Sequence, residues 1–330
     1  MDLFALTFGG ADTASTYYRL LQYRDLFSAA GIRFDHAPAK EFRDYGRLRD
    51  FDTVLLQKVL LSRGRLRSLR RCVRRLLYDA DDRIWLSPYR THSWITQLRI
   101  GRRMRAIARS ADVCLAANGV IAADLEGCGG RTVVVPMALD DRVWQVPPER
   151  RDPVTVGWTG APKNLVFLRG ILPELLEVQH RFPHVRFLVH CGQDPRFEGL
   201  RYEHLPFVPG EEPAAVGRFH IGLLPLPDDQ FVYGKSPGKA LQYFACGVAV
   251  AGSPVGATRE ILADGENALW VRERRDWVAA LTRLIEDAEL RVRLAVAGRR
   301  TFEERHALPV VFRRLRAVLV EGVEEMGRRA

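Results

Sequence analysis

Apolar and polar positions along this chain follow a repeating order: a short apolar run, a glycine-rich or polar turn, then an amphipathic stretch. Residues 2–8 form an apolar β-rich run ending in Gly9-Gly10, and the spacing predicts an amphipathic helix from Ala14 to Ala30 that Gly31 stops. Further strands are predicted at Asp52–Leu56, Arg74–Tyr78, Ala111–Ala116 and Thr132–Pro136. The proline-rich polar segment Val146–Pro153 reads as a linker, after which the same order restarts. The second half predicts a strand at Val154–Val156, a tight loop at Gly157–Gly160, a helix over Leu165–His180, and strands at Phe187–His190 and Ile221–Pro225. Helices at Asp276–Glu286, Glu289–Glu304 and Pro309–Met326 follow. Strands alternating with helices imply an α/β chain of two Rossmann-like, doubly wound sheets, with ligands expected beyond the carboxyl ends of the strands.

One stretch, Gly234–Glu260, concentrates the chemistry. Gly234, Ser236, Pro237 and Gly238 do not propagate regular structure, whereas Lys239–Cys246 is a compact helical run that Gly247 ends. Val248–Ala251 then predicts a short buried strand, and Ser253–Ala257 leads on to Glu260. The unpaired N–H groups and positive dipole end of such a helix favour an anion, and Lys235 and Lys239 flank that place.

The residues ALQYFACGVAVAGSPVGATREIL followed by ADGENALWV resemble the donor-nucleotide segment of retaining glycosyltransferases of family 4, which have the two-domain GT-B fold. The resemblance implies two Rossmann-like domains facing an interdomain cleft: an acceptor domain over residues 1–148 and a nucleotide-sugar donor domain over 149–308. It also implies that the last helix, within 309–330, returns to the first domain. In that family two glutamates with seven residues between them contact the donor sugar and the ribose; here those positions hold Gly234 and Gln242. Gln242 keeps hydrogen-bonding capacity for a ribose but lacks the charge.

The resemblance further implies donor contacts at Gly160, Lys163, Phe207, Val208, Gly234, Lys235, Ser236, Pro237, Gly238, Lys239, Leu241 and Gln242. Lys239, Lys163, Glu260 and His92 are the catalytic candidates, with Gly9 and Gly10 bordering the cleft. Asp79 and Asp81, in YDADDRIW, form a D-x-D pattern that holds a divalent ion in an unrelated transferase fold. That stretch is itself similar to a YD-x-DD-x-x-W segment in some GT-B family 4 sequences, so a structural or acceptor-side role without metal is expected.

Composition narrows the picture. A chain of 330 residues with 47% hydrophobic residues can bury two cores. Five scattered cysteines without a C-x-x-C pair predict a reduced, cytoplasmic protein, and the N-terminus enters a strand pattern without a signal-peptide core. The net charge of +10 is uneven, with seven arginines between Arg63 and Arg75. Leu66, Leu69, Val73 and Leu76 recur among them at near-helical spacing, which suits either an anionic membrane surface, on the inner face of the membrane, or a solvated basic helix. Interleaved aromatics and nucleic-acid motifs are lacking, which disfavours nucleic acid as the partner.

The expected activity is transfer of a sugar from a nucleotide-diphosphate-sugar, as donor substrate rather than cofactor, to the hydroxyl of a glycan, lipid or small molecule. The resemblance implies retention and no metal. Another GT-B activity, such as a nucleotide-sugar epimerase, and a degenerate scaffold remain as alternatives.

Overall fold

The computed structural model describes residues 1–86, 93–145 and 152–320; His92 and most of the expected linker lie outside the described residues. The chain divides into two compact units, one of Met1–Ala138, Gly234–Ser236 and the segment from Leu308, the other of Leu139–Tyr233 and Pro237–Ala307. Among the described residues each unit is built on one six-stranded, wholly parallel sheet.

In the first unit, β1 (Asp2–Thr7), β2 (Arg33–Pro38), β3 (Thr53–Gln57), β4 (Arg75–Ala80), β5 (Val113–Ala116) and β6 (Thr132–Val134) are ordered β2-β1-β3-β4-β5-β6. The helices on its faces are α1 (Ala14–Arg19), α2 (Arg24–Ala29), α3 (Arg63–Cys72), α4 (Trp94–Ser110) and α5 (Gly119–Glu126). Strands buried on both sides explain the near-continuous apolar runs, such as the fully buried β3 and β5.

The second unit contains β7 (Thr155–Thr159), α6 (Leu165–Arg169), α7 (Leu172–Arg181), β8 (Arg186–Cys191), β9 (Glu203–Pro206), α8 (Glu212–Gly217) and β10 (Ile221–Leu224). It continues through α9 (Gln230–Tyr233), α10 (Gly238–Ala245), β11 (Ala249–Gly252), β12 (Leu269–Trp270), α11 (Asp276–Glu286) and α12 (Ala288–Arg305), with the strand order β12-β11-β10-β7-β8-β9. The final helix, α13 (Leu308–Val320), returns to the first unit, where Val311, Phe312, Leu315 and Val318 pack with Leu3, Tyr23 and Leu77. Arg75 fixes its end by donating to the carbonyls of Val318 and Leu319, at 2.6 and 2.7 Å.

Several local expectations change. The helix expected over Ala14–Ala30 is interrupted at Leu20 (φ −138°, ψ −55°) and resumes through a 3₁₀ turn, Leu21–Tyr23. The break lets Leu20 and Tyr23 enter the core while the Arg19 side chain reaches β4. Gly157-Trp-Thr, expected in a loop, continues β7: a Cβ on Gly157 would lie 2.2 Å from the Phe219 ring, so glycine serves close packing there and not a turn. The helix expected over Leu165–His180 divides at Gly170-Ile171. The apolar row of the basic stretch also divides: Leu66 and Leu69 face the core from α3, Val73 caps it, and Leu76 belongs to β4. The hydrophobic side of that helix is therefore consumed by its own domain.

Candidate functional site

Each sheet has a topological switch point, where neighbouring strands send their connections in opposite directions and a crevice opens beyond the strand ends. In the first unit it lies between β1 and β3, and in the second between β7 and β10. The candidate residues gather at these two edges.

At the second edge, β7 ends in Thr159 and Gly160. The Gly160 N–H donates to the His190 carbonyl at 3.1 Å, and Thr159 Oγ1 meets His190 Nδ1 at 2.9 Å. His190 is buried, and burial holds its imidazole below the ordinary histidine range, favouring the neutral ring. Its ring lies 5.7 Å from that of Phe207, which is 46% exposed just beyond β9. A Cβ on Gly192 would lie 3.8 Å from Pro162 Cγ and 3.9 Å from Phe207 Cβ, so the loop carrying Lys163 borders the same ledge. Lys163 itself is exposed.

The first turn of α10 completes this edge. Lys239 Nζ lies 5.6 Å from the centroid of the Trp158 ring, and a Cβ on Gly160 would come within 2.8 Å of Lys239 Cε. Tyr243, one turn on, is buried; it donates from Oη to the Leu223 carbonyl at 3.0 Å and accepts from the Thr159 N–H at 3.3 Å. The helix is thereby tied to the ends of β7 and β10, which fixes its amino end beside Gly160. Gln242 is half-buried, whereas Leu241 is fully buried and packs in the core beneath the helix. Pro237 caps α10, Val208 is exposed beside Phe207, and Glu260 is exposed at the end of the 3₁₀ turn Gly256–Glu260.

At the first edge the carboxylates are already matched with cations. Arg19 Nε donates to both oxygens of Asp79 at 3.2 Å, and its Nη1 donates to the Val135 and Pro136 carbonyls at 2.7 and 3.2 Å. Asp79 is thus a brace between α1, β4 and the chain after β6. Lys58, held at φ +53°, places Nζ 2.9 Å from Asp81 and 3.6 Å from Asp82. Ser15 donates to Asp81 at 2.7 Å. Burial raises the Asp81 carboxyl, but Lys58 and the Ser15 hydroxyl outweigh it and hold the group below the usual carboxylate range. Gly9 lies in the turn after β1, where its carbonyl accepts from Thr7 Oγ1 at 2.7 Å, and Gly10 closes onto the Thr13 N–H at 3.1 Å. Among the described residues no group of three or more histidine, cysteine or acidic side chains is arranged to hold a metal ion.

Gly234, Lys235 and Ser236 group with the first unit, while Gly238, Lys239 and Gln242 group with the second. Asn118 Nδ2 donates to the Gly234 carbonyl at 3.1 Å, and Ser236 Oγ donates to the Asp81 carbonyl at 3.0 Å. Arg83 lies across Gly234, where a Cβ would be 2.2 Å from Arg83 Cγ. Its guanidinium pairs with Asp124 at 2.6 and 2.9 Å, and Trp85 Nε1 donates to the same carboxylate at 3.0 Å.

Sequence reasoning did not find Trp158, His190, Asn118, Lys58 or the Arg83–Asp124 pair. These contacts join residues far apart in the chain, 116 positions in the case of Asn118 and Gly234, and carry no local motif.

Residues 169–316 match the family model described as glycosyl transferase-like. No curated protein matches the chain. Among solved structures it resembles sucrose-phosphate synthase from Thermosynechococcus elongatus, at 15% identity and TM-score 0.74, covering 97% of this chain and 98% of that one. It also resembles Anabaena HepE solved with UDP and glucose, at 15% identity and TM-score 0.66, covering 96% and 98%. A third similar structure is the apo form of the lipopolysaccharide outer core galactosyltransferase WaaB, at 12% identity and TM-score 0.64, covering 98% and 100%. The two parallel six-stranded sheets are those of the GT-B fold.

Proposed function

We propose that this protein is a retaining GT-B glycosyltransferase of the family 4 type, moving a sugar from a nucleotide-diphosphate-sugar to an acceptor hydroxyl without a metal ion. The observation that carries this reading is Lys239: a cation in the first turn of α10, over Trp158 and beside Gly160, at the switch point of the second sheet. A similar structure, HepE, is solved with UDP and glucose and also with UDP-glucose, which supports a UDP-type donor.

The chemistry follows from where charge develops. Glycosyl transfer passes through an oxocarbenium-like state while negative charge builds on the departing diphosphate. Lys239, the N–H groups at the start of α10 and Lys163 supply positive charge that is in place before the reaction begins. Phe207 and the neighbouring backbone offer a flat apolar ledge for a base, and Gln242 offers hydrogen bonds to a ribose. Glu260 is the remaining candidate for a donor contact. The first-unit carboxylates are matched by Arg19 and Lys58, which favours an acceptor-side or structural role for Asp79 and Asp81 over ion binding. The acceptor class is a glycan, lipid or small natural product, and the protein works in the reducing cytoplasm, in keeping with five free cysteines.

The test is nucleotide release from a panel of UDP-, GDP- and dTDP-sugars, with and without added acceptors, followed by NMR of the new anomeric centre. Acceptor-dependent release with the donor's configuration kept supports the proposal. Acceptor-independent epimerisation, or release from none of the donors, contradicts it.

A further inference from the structure

The two helices α3 and α4 together hold ten arginines and no lysine, aspartate or glutamate. That equals the net charge of the entire chain, +10, so the rest of the protein is close to neutral. Leu66 and Leu69 from α3 and Met104, Ile107 and Ala108 from α4 enter one core on one side of the first sheet, which sets the outward sides of the two helices next to each other.

Those outward sides are not uniform. On α3, Arg65 is spent on the carbonyls of Ala39 and Phe42, and Arg70 on the Val73 carbonyl and on the half-exposed Asp112. Arg63, Arg67 and Arg71 are exposed, and their four-residue spacing aligns them in one row. On α4 the first two turns expose Trp94, Ile95 and Leu98, at 71%, 59% and 44%. Arg99, Arg102 and Arg105 continue the exposed surface beyond them. Three large apolar side chains clustered beside an all-cationic band have the composition of a surface that enters an anionic lipid interface.

We propose that the α3–α4 face docks on an anionic bilayer. Trp94, Ile95 and Leu98 enter the boundary between headgroups and acyl chains, and Arg63, Arg67 and Arg71, with the exposed arginines of α4, hold the anionic headgroups. No described helix is long and apolar enough to cross a membrane, so this is attachment to one surface. A second copy of the chain presenting the same face would meet it with like charge, and of the three apolar side chains only Trp94 has a ring for base stacking, which leaves Ile95 and Leu98 without a part in binding nucleic acid. The inference rests on surface chemistry alone, so it is decided independently of the transferase reading.

The experiment is co-sedimentation of the full chain with vesicles of phosphatidylcholine, alone and mixed with phosphatidylglycerol. Binding is expected only to the mixed vesicles and is expected to weaken with salt. Each cation near such a surface is worth about a fivefold change in partitioning, so R63E/R67E/R71E should lose at least about 100-fold. W94S/I95S/L98S should lose at least about tenfold and leave a remnant that salt removes completely. All six positions are exposed, so thermal melting should match the wild type in both variants. Equal binding to neutral and anionic vesicles, no binding to either, an unchanged triple-arginine variant, or binding to duplex DNA in preference to vesicles would overturn the proposal.

Discussion

Gly234→Ala tests how this chain fills the position at which the family 4 transferases that its sequence resembles carry a glutamate. The glycine is buried, and a methyl group there would lie 2.2 Å from Cγ and 2.5 Å from Cδ of Arg83, well inside van der Waals contact. Arg83 cannot simply swing away, because its guanidinium is held by Asp124 at 2.6 and 2.9 Å. Either the ion pair opens or the backbone shifts, and overpacking of this kind costs about 1–3 kcal/mol. Removing the obstacle should remove the cost. In an Arg83→Ala background, Gly234→Ala should cost less than about 0.5 kcal/mol, a coupling of at least roughly 0.5 kcal/mol for two residues in contact. Urea unfolding of the four proteins of this cycle measures it. Equal costs of Gly234→Ala in both backgrounds would refute the idea that Arg83 fills the space a larger side chain at position 234 needs.

Gln242→Glu should be tolerated or mildly activating, since on the proposed function it gives the ribose a charged acceptor; a tenfold loss, about 1.4 kcal/mol, would show that Gln242 meets another local need. Under the proposed function donor turnover should survive EDTA, with lysines and helix dipole taking the part of an ion; activity abolished by the chelator and restored by manganese would reverse this reading. Lys58→Met should destabilise the first unit by about 3 kcal/mol near neutral pH, by stranding the Asp81 carboxylate. Because Asp81 titrates below its unfolded value, its stabilisation is complete above about pH 4 and lost as the pH falls through the folded value. The deficit of Lys58→Met should therefore shrink in acid, and a deficit that grows in acid contradicts the pairing.

The fold was legible because both sheets are parallel and buried: strands such as β3 and β5 appear as short apolar runs between polar helices, and glycines mark many of the ends. The strand β2 was not legible, since Arg33–Pro38 lies at a sheet edge with alternating exposure and ends in proline. Gly157 misled for a physical reason, because a glycine needed for contact with Phe219 looks in sequence like one needed for a turn. The amino end of α10 could be read from Gly238 and Lys239 alone. Its surroundings could not: Trp158 under Lys239 and His190 against Thr159 are brought there by β7 and β8, and nothing in their local sequence announces a partner; in the first unit the same is true of Arg83 over Gly234.

The central claim is that the carboxyl edge of the second sheet holds a nucleoside diphosphate through Lys239. Isothermal titration of UDP, GDP and dTDP into the wild type and Lys239→Ala tests it without knowledge of the acceptor. At least one diphosphate should bind the wild type, with the corresponding nucleoside binding far more weakly, and Lys239→Ala should weaken that diphosphate by at least about tenfold while its melting temperature is unchanged. Equal affinity in the two proteins, or no binding of any of the three diphosphates to the wild type, would contradict the account.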